Sequence, residues 1–229
     1  MPDTVIDPPA PTVIPVAGGD RFFPVRRIFC VGRNYADHAR EMGHDPDRDP
    51  PFFFTKPADA LVIAGAETPY PPMTADLHHE IELVVAIGRE ARAIEQAAAL
   101  EHVWGYAAGI DLTRRDLQAE AKKLGRPWDM AKGFDNSAPI GELAAAAEIG
   151  HPAAGRIALT VNGAPRQQGD LGEMIWSVPE ALAWLSALVT LRPGDLVFTG
   201  TPAGVGAVRR GDRLDGEIAG VGTVTTTIV

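Results

Sequence analysis

Apolar residues recur along this chain in short runs of β type: Ile28 to Val31, Phe52 to Thr55, Leu61 to Ile63, Ile81 to Ile87, Ile157 to Val161, Leu196 to Thr199, Arg213 to Ile218 and Val221 to Val229. Glycine and proline punctuate nearly all of them. Trp104 to Asp111 reads as a further buried strand that ends in an acid. Helical patterns are fewer. Tyr35 to Met42 is short and polar, Thr113 to Leu124 follows a cap at Asp111 or Thr113, and Val178 to Leu188 is apolar over a wide face with Ser177 as N-cap and Pro179 at the first helical position. Many short strands with few helices predict a β-rich α+β fold, a mixed β-sandwich roll or barrel, over a doubly wound sheet. Residues 1–24 are rich in proline and predict an extended arm, part of which can pack as an edge strand through Val13, Ile14 and Val16. A single domain over 25–229 follows.

One strand breaks the apolar pattern at its start. Alternation puts Ile81, Leu83, Val85 and Ile87 on one face and Glu80 and Glu82 together on the other. Like charges held side by side repel, so solvent, basic partners or a bound cation must offset them. Solvent suits an edge strand with one wet face. Val84 and Ala86, however, continue the carboxylate face with apolar groups, so the strand is buried beyond its mouth. Clustered carboxylate oxygens there suit a hard divalent cation such as Mg²⁺, Mn²⁺ or Ca²⁺.

Composition narrows the class. The 229 residues carry a formal charge of −9, which argues against a general nucleic-acid surface. The single cysteine, Cys30, lies in an apolar run, excludes an internal disulfide and reads as a small core residue rather than a nucleophile. No stretch approaches the roughly 18 apolar residues needed to span a bilayer. The start lacks the basic region and apolar core of a secretory signal, so a soluble, cytoplasmic protein is expected. Gly200, Gly204 and Gly206 have the wrong spacing for a nucleotide-binding phosphate loop.

Other constellations carry chemistry. His38 and Glu41 are three apart, hence on one face of a helix, where they are either a surface pair or a carboxylate-oriented general base. Asp111 ends its strand either as a helix cap or as a third oxygen ligand beside Glu80 and Glu82. Gln118 follows on the same side as Arg114 or Arg115. Lys132, flanked by small and apolar residues in a turn-rich segment, can place a fixed positive charge against a developing enolate. The run Thr199-Gly200-Thr201-Pro202 is either a tight turn or a carboxylate-binding loop using backbone amides and the Thr201 hydroxyl.

Taken in order, Val31-Gly32-Arg33-Asn34-Tyr35, Lys56-Pro57, His79-Glu80-Ile81-Glu82-Leu83, Gly109-Ile110-Asp111, Ala131-Lys132-Gly133-Phe134 and Thr199-Gly200-Thr201-Pro202 resemble the fumarylacetoacetate hydrolase family over about residues 26–229. Arg33 to Gly43 and Arg126-Pro127-Trp128 are most similar to its acylpyruvate and fumarylpyruvate hydrolases, including enzymes late in gentisate breakdown. The resemblance implies a mixed β-roll, a homodimer, and one Mg²⁺ or Mn²⁺ per subunit on Glu80, Glu82 and Asp111. It implies a His38–Glu41 dyad on a lid, Lys132 beside the metal, and substrate contacts from Gln118 and Thr201. The expected reaction is hydrolysis of a carbon–carbon bond in a 2,4-dioxo acid, with Arg33, Arg40 or Arg48 receiving a distal carboxylate. Oxaloacetate decarboxylation or isomerisation of an unsaturated dicarboxylate on the same metal site is the alternative, and a metal-binding protein without catalysis is a third.

Overall fold

The computed structural model describes residues 4–37, 49–63 and 65–229. His38 and Glu41, and with them Arg40 and Arg48, lie outside the described residues. The fold is mostly β, as the short apolar runs predict. One large sheet runs in the order Phe52–Lys56, Arg27–Gly32, Asp195–Phe198, Ile81–Ile87, Val103–Ile110, Ala138–Ile140, Leu61–Ile63, with Ala144–Ala145 also paired to Val103–Ile110. It curls into a half-barrel. A second sheet joins Ala164–Asp170, Arg156–Val161, Arg213–Ile218, Gly222–Ile228 and Glu67–Thr68, and a small third one joins Thr113–Arg114, Leu77–His79 and Gly206–Val208.

Every residue of Ile81–Ile87 is buried, so both faces of the strand meet core. Strict alternation divides them. Ile81, Leu83, Val85 and Ile87 join the cluster that includes Ile157, Leu159, Leu214 and Val224 of the second sheet and Ala181, Leu182 and Leu185 of the Val178–Leu188 helix. Val84 and Ala86 face the other cluster, with Cys30, Ala107 and Phe198. Cys30 is fully buried there, as a core residue should be, and burial holds its thiol well above the ordinary range.

At the start of the chain, part of the proline-rich arm packs as a strand. Residues 4–11 are exposed and form neither strand nor helix, but Val13–Pro15 pairs antiparallel with Phe22–Pro24, and Ile14 and Phe23 are buried against the second cluster. The Val178–Leu188 helix has the expected Ser177 cap, whose backbone N–H and hydroxyl both donate to the Glu180 carboxylate (3.0 and 2.7 Å), with Pro179 second in the helix rather than first. The expected helix from Thr113 begins at Arg115 instead. Thr113–Arg114 is taken by pairing with Leu77–His79, so neither Asp111 nor Thr113 is a cap. Ala164–Asp170 carries no apolar alternation and was not expected as a strand; it is an edge strand whose only buried side chain is Gln167. Among the described residues, no helix is long and apolar enough to cross a membrane.

Asp195 pins the central strands. Fully buried, it takes Arg26 (3.1 Å), Arg27 (2.8 Å) and the Arg192 backbone N–H (2.9 Å), which ties the mouth of one strand to its neighbour. Gly109 sits opposite Glu82 in the adjacent strand. A Cβ there would lie 2.6 Å from Val84 Cγ2 and 2.8 Å from the Phe198 ring, so only glycine lets these strands pack at this level. We expect Gly109→Ala to destabilise the fold by about 1–3 kcal/mol through overpacking. Urea unfolding measures this, and a change below about 0.5 kcal/mol would contradict the tight approach.

Candidate metal and substrate site

The ends of two paired strands bring the acids together. Ile81 pairs with Ile110, and the Asp111 backbone N–H donates to the Glu80 carbonyl at 2.8 Å, so Glu80 and Asp111 are neighbours across the ladder while Glu82 stands two residues along. Ligand oxygens of Glu80, Glu82 and Asp111 all lie within 4.8 Å of one another, and all three side chains are buried. Glu80 and Glu82 thus do point together, and Asp111 joins them rather than capping a helix.

Positive charge is packed around two of the three. Lys132, in the short Asp129–Lys132 helix, donates to Glu80 Oε2 (2.8 Å) and Asp111 Oδ2 (2.6 Å). Burial acts to lower its ammonium, but the charges of Asp111 and Glu80 outweigh burial and hold it above its ordinary value. Arg115 reaches Glu80 Oε1 and also donates to Gln118 Oε1 at 2.6 Å. Lys56 Nζ stands 2.8 Å from Asp111 Oδ1 and donates to the carbonyls of Leu112 (3.2 Å), Ser137 (3.1 Å) and Lys132.

Glu82 is different. It accepts the Gly200 backbone N–H at 2.8 Å and has no ion pair among the described residues. Burial, then the charges of Asp111 and Glu80, hold its carboxyl well above the usual range. The donor set therefore fits a hard divalent cation. Such an ion binds oxygens at roughly 2.1 Å and so spans oxygen separations up to about 4.2 Å, a small contraction of the cluster as it stands. It would supply the positive charge that Glu82 lacks.

The remaining predicted residues differ in what they offer. Gln118 is buried and lines the cavity above the carboxylates. Thr201 lines it too, but its hydroxyl donates to the Ile81 carbonyl (2.7 Å) and accepts from Gln167 Nε2 (2.8 Å), so its proton is already engaged. Arg33 lies in the left-handed backbone region (φ 56°) and lines the cavity beside Gly32. The space directly over the carboxylates is about 30 Å³. Arg33, Phe54, Trp128 and Lys132 also border a wider cleft of about 570 Å³ walled by Phe52, Phe53 and Arg126.

Two residues without a predicted role hold this arrangement. Gln167 accepts from Ile81 N (3.0 Å), pairs with His79 Nδ1 (2.9 Å) and donates to Thr201 Oγ1 and the Pro202 carbonyl (both 2.8 Å), clamping the Glu80 flank to the glycine turn. Nothing in its exposed, polar surroundings in sequence marks it. Lys56 had a signal, since a lysine ending an aromatic strand must find partners if it is buried.

A family model described as fumarylacetoacetate (FAA) hydrolase C-terminal matches residues 27–229. The chain belongs to this family. Among solved structures, fumarylpyruvate hydrolase from Pseudomonas aeruginosa, in complex with Mn²⁺ and pyruvate, is 54% identical with a TM-score of 0.97, covering 99% of both chains. A candidate fumarylpyruvate hydrolase from Burkholderia cenocepacia is 60% identical with a TM-score of 0.93, covering 99% of this chain and 98% of that one. Mitochondrial oxaloacetate tautomerase FAHD1 of Rattus norvegicus is 44% identical over 196 residues, 86% of this chain and 88% of the relative. As a fumarylacetoacetate hydrolase family member, the chain is an enzyme of hydrolase or isomerase type that acts on a small molecule.

Mg²⁺ or Mn²⁺ should stabilise the fold, and more so as pH rises. A carboxyl held above its ordinary value binds its proton more tightly folded than unfolded. Without a cation, Glu82 therefore lowers stability as pH climbs from about 4.3 towards its folded value. A cation needs that proton gone, so its effect grows over the same range. At a hundredfold excess over Kd the gain is about 2.7 kcal/mol, or roughly 5–10 °C in Tm. Thermal melts from pH 5 to 8 with and without metal check this, and a pH-independent shift would contradict it. Lys56→Met should cost about 3–5 kcal/mol in urea unfolding, because it removes the buried ammonium beside Asp111 Oδ1 and the donor to three carbonyls, leaving Lys132 as the remaining cation on that acid. A loss under about 1 kcal/mol would show that Lys56 is not needed there.

Proposed function

We propose that this chain hydrolyses a carbon–carbon bond in 2,4-dioxo acids, with fumarylpyruvate as the substrate and fumarate and pyruvate as products, as in gentisate catabolism. What carries the reading is the buried Glu80, Glu82 and Asp111 cluster, with Lys132 against two of them, in a chain that matches a Mn²⁺- and pyruvate-bound fumarylpyruvate hydrolase over nearly its whole length. Glu80, Glu82 and Asp111 would hold Mg²⁺ or Mn²⁺, which would supply Lewis-acid polarisation of the substrate's carboxylate and 2-keto oxygens.

The chain's own groups carry the rest. Lys132, kept protonated by its acidic neighbours, offers N–H donors where charge develops on the 2-keto oxygen. Gln118, positioned through Arg115, orients the pyruvyl end. His38, oriented by Glu41, takes a proton from water as the oxygen adds to the 4-carbonyl carbon. Collapse breaks the C3–C4 bond, its electron pair passes into the pyruvate enolate, and the proton held by His38 returns to C3. The wider aromatic cleft receives the acyl group. The homodimer and the cytoplasmic setting that the family resemblance implies belong to the same proposal.

The 44% identity to an oxaloacetate tautomerase favours a second reading, proton transfer between C3 and the 2-oxygen of oxaloacetate at the same residues, which needs no attacking water. Turnover of fumarylpyruvate, maleylpyruvate, acetylpyruvate and oxaloacetate with Mg²⁺ and Mn²⁺ separates the two. We expect hydrolysis of fumarylpyruvate, with His38→Ala lowering kcat by about 10²- to 10⁴-fold. Enolisation of oxaloacetate with no cleavage of any dioxo acid would reject the hydrolase reading, and a His38→Ala variant of near-original rate would reject the dyad.

A further inference from the structure

Two cations line the cavity over the carboxylates yet stand outside its ion-pair network: Arg33 and Lys122. Lys132 and Arg115 are committed to Glu80 and Asp111, whereas neither Arg33 nor Lys122 has an ion pair among the described residues. Each rests on an aromatic ring instead. The Arg33 guanidinium lies 5.4 Å from the Phe52 centroid and Lys122 Nζ lies 5.2 Å from that of Trp128. Phe52 and Trp128 meet edge to face at 5.3 Å, so the two cations share one aromatic corner, where the cavity opens into the wider cleft.

This corner is built rather than incidental. Arg33 holds a left-handed backbone that costs a non-glycine residue about 1 kcal/mol or more. It is kept there by Asn34, which is buried and bonded to the carbonyls of Thr199 and Trp176 (both 2.8 Å). Arg33 Nε is buried with no hydrogen-bond partner. Asp49 acts on Arg33 and Glu80 on Lys122 through space, each favouring the charged form, without forming an ion pair. Burial, and then the charges of Arg33 and Arg115, push the Lys122 ammonium down to about 8. Two like charges thus line the cavity that the carboxylate cluster also lines.

We infer that Arg33 and Lys122 form an anion subsite that takes a second carboxylate, at the acyl end of the substrate, and so select dioxo dicarboxylates over acylpyruvates that end in a methyl group. The inference rests on the hydrolase reading for its substrate, though not for its geometry. Arg126, which borders only the outer cleft, is not part of the pair.

The test is the ratio of kcat/KM for fumarylpyruvate to that for acetylpyruvate, from which any loss of folded enzyme cancels. The wild-type ratio should exceed about ten, Lys122→Met and Arg33→Gln should each lower it about tenfold, chiefly through KM, and Lys122→Arg should restore most of it. A calorimetric titration of the Mg²⁺-loaded protein with fumarate and with crotonate, its monocarboxylate analogue, should give the same preference for the second carboxylate and the same loss in the variants. Ratios unchanged in both variants would overturn the subsite while leaving dioxo-acid hydrolysis intact. If the wild type hydrolyses neither acid, the hydrolase reading fails, and the fumarate titration still decides the subsite: no preference over crotonate overturns it.

Discussion

Three carboxylates buried within 4.8 Å of one another are the constraint on which the rest of the site depends. Two such charges about 4 Å apart repel by about 4 kcal/mol at an effective dielectric near 20, and their removal from water costs more still. The fold answers with charge brought from far along the chain. Lys56 comes from the end of a strand, Arg115 from the start of a helix and Lys132 from a four-residue turn of helix; carbonyls also hold Lys56, Gln118 also holds Arg115, and Lys132 bridges two acids beside the Phe54 ring. Glu82, the acid without such a partner among the described residues, lies where a divalent cation would complete the balance.

The scaffold makes this tolerable by being rigid at that level. The carboxylates stand at the ends of two antiparallel strands buried on both faces, and Gly109 lets those strands approach the neighbouring Phe198 ring without a gap. Gln167 locks the opposite flank, joining His79, Ile81, Thr201 and Pro202 through one amide. Such a fully bonded polar group in a core fixes register as well as stability. Acidic groups and, among the described residues, two cations without an ion pair line the same cavity, a polarity that matches the proposed substrate, a keto acid at one end and an anion at the other.

Much of this was legible in the chain. The alternation around Ile81–Ile87 placed Glu80 and Glu82 on one face, and the apolar residues after them excluded a wet edge strand. Asp111 was legible as an acid closing a buried strand, though composition could not separate ligand from helix cap. Thr113–Arg114 decided that, since strand pairing removed the residues a cap would serve. In sequence Thr201 offers a hydroxyl for substrate, and tertiary contacts engage that hydroxyl with Ile81 and Gln167. Lys56 and Gln167 escaped a role because Asp111 lies 55 residues from Lys56 and Ile81 lies 86 from Gln167, and no local pattern carries that information.

The sequence by itself determined the β-rich class, the candidate ligands and the family, because hydrophobic period and short ordered motifs are local properties. Only the tertiary structure decided which charges neutralise which. A salt bridge depends on distance, and distance between residues remote in the chain is set by sheet order and register. That is why Lys132 and Arg115 emerged as partners of the acids, and why Arg33 and Lys122, no less basic in sequence, line the cavity without an ion pair among the described residues.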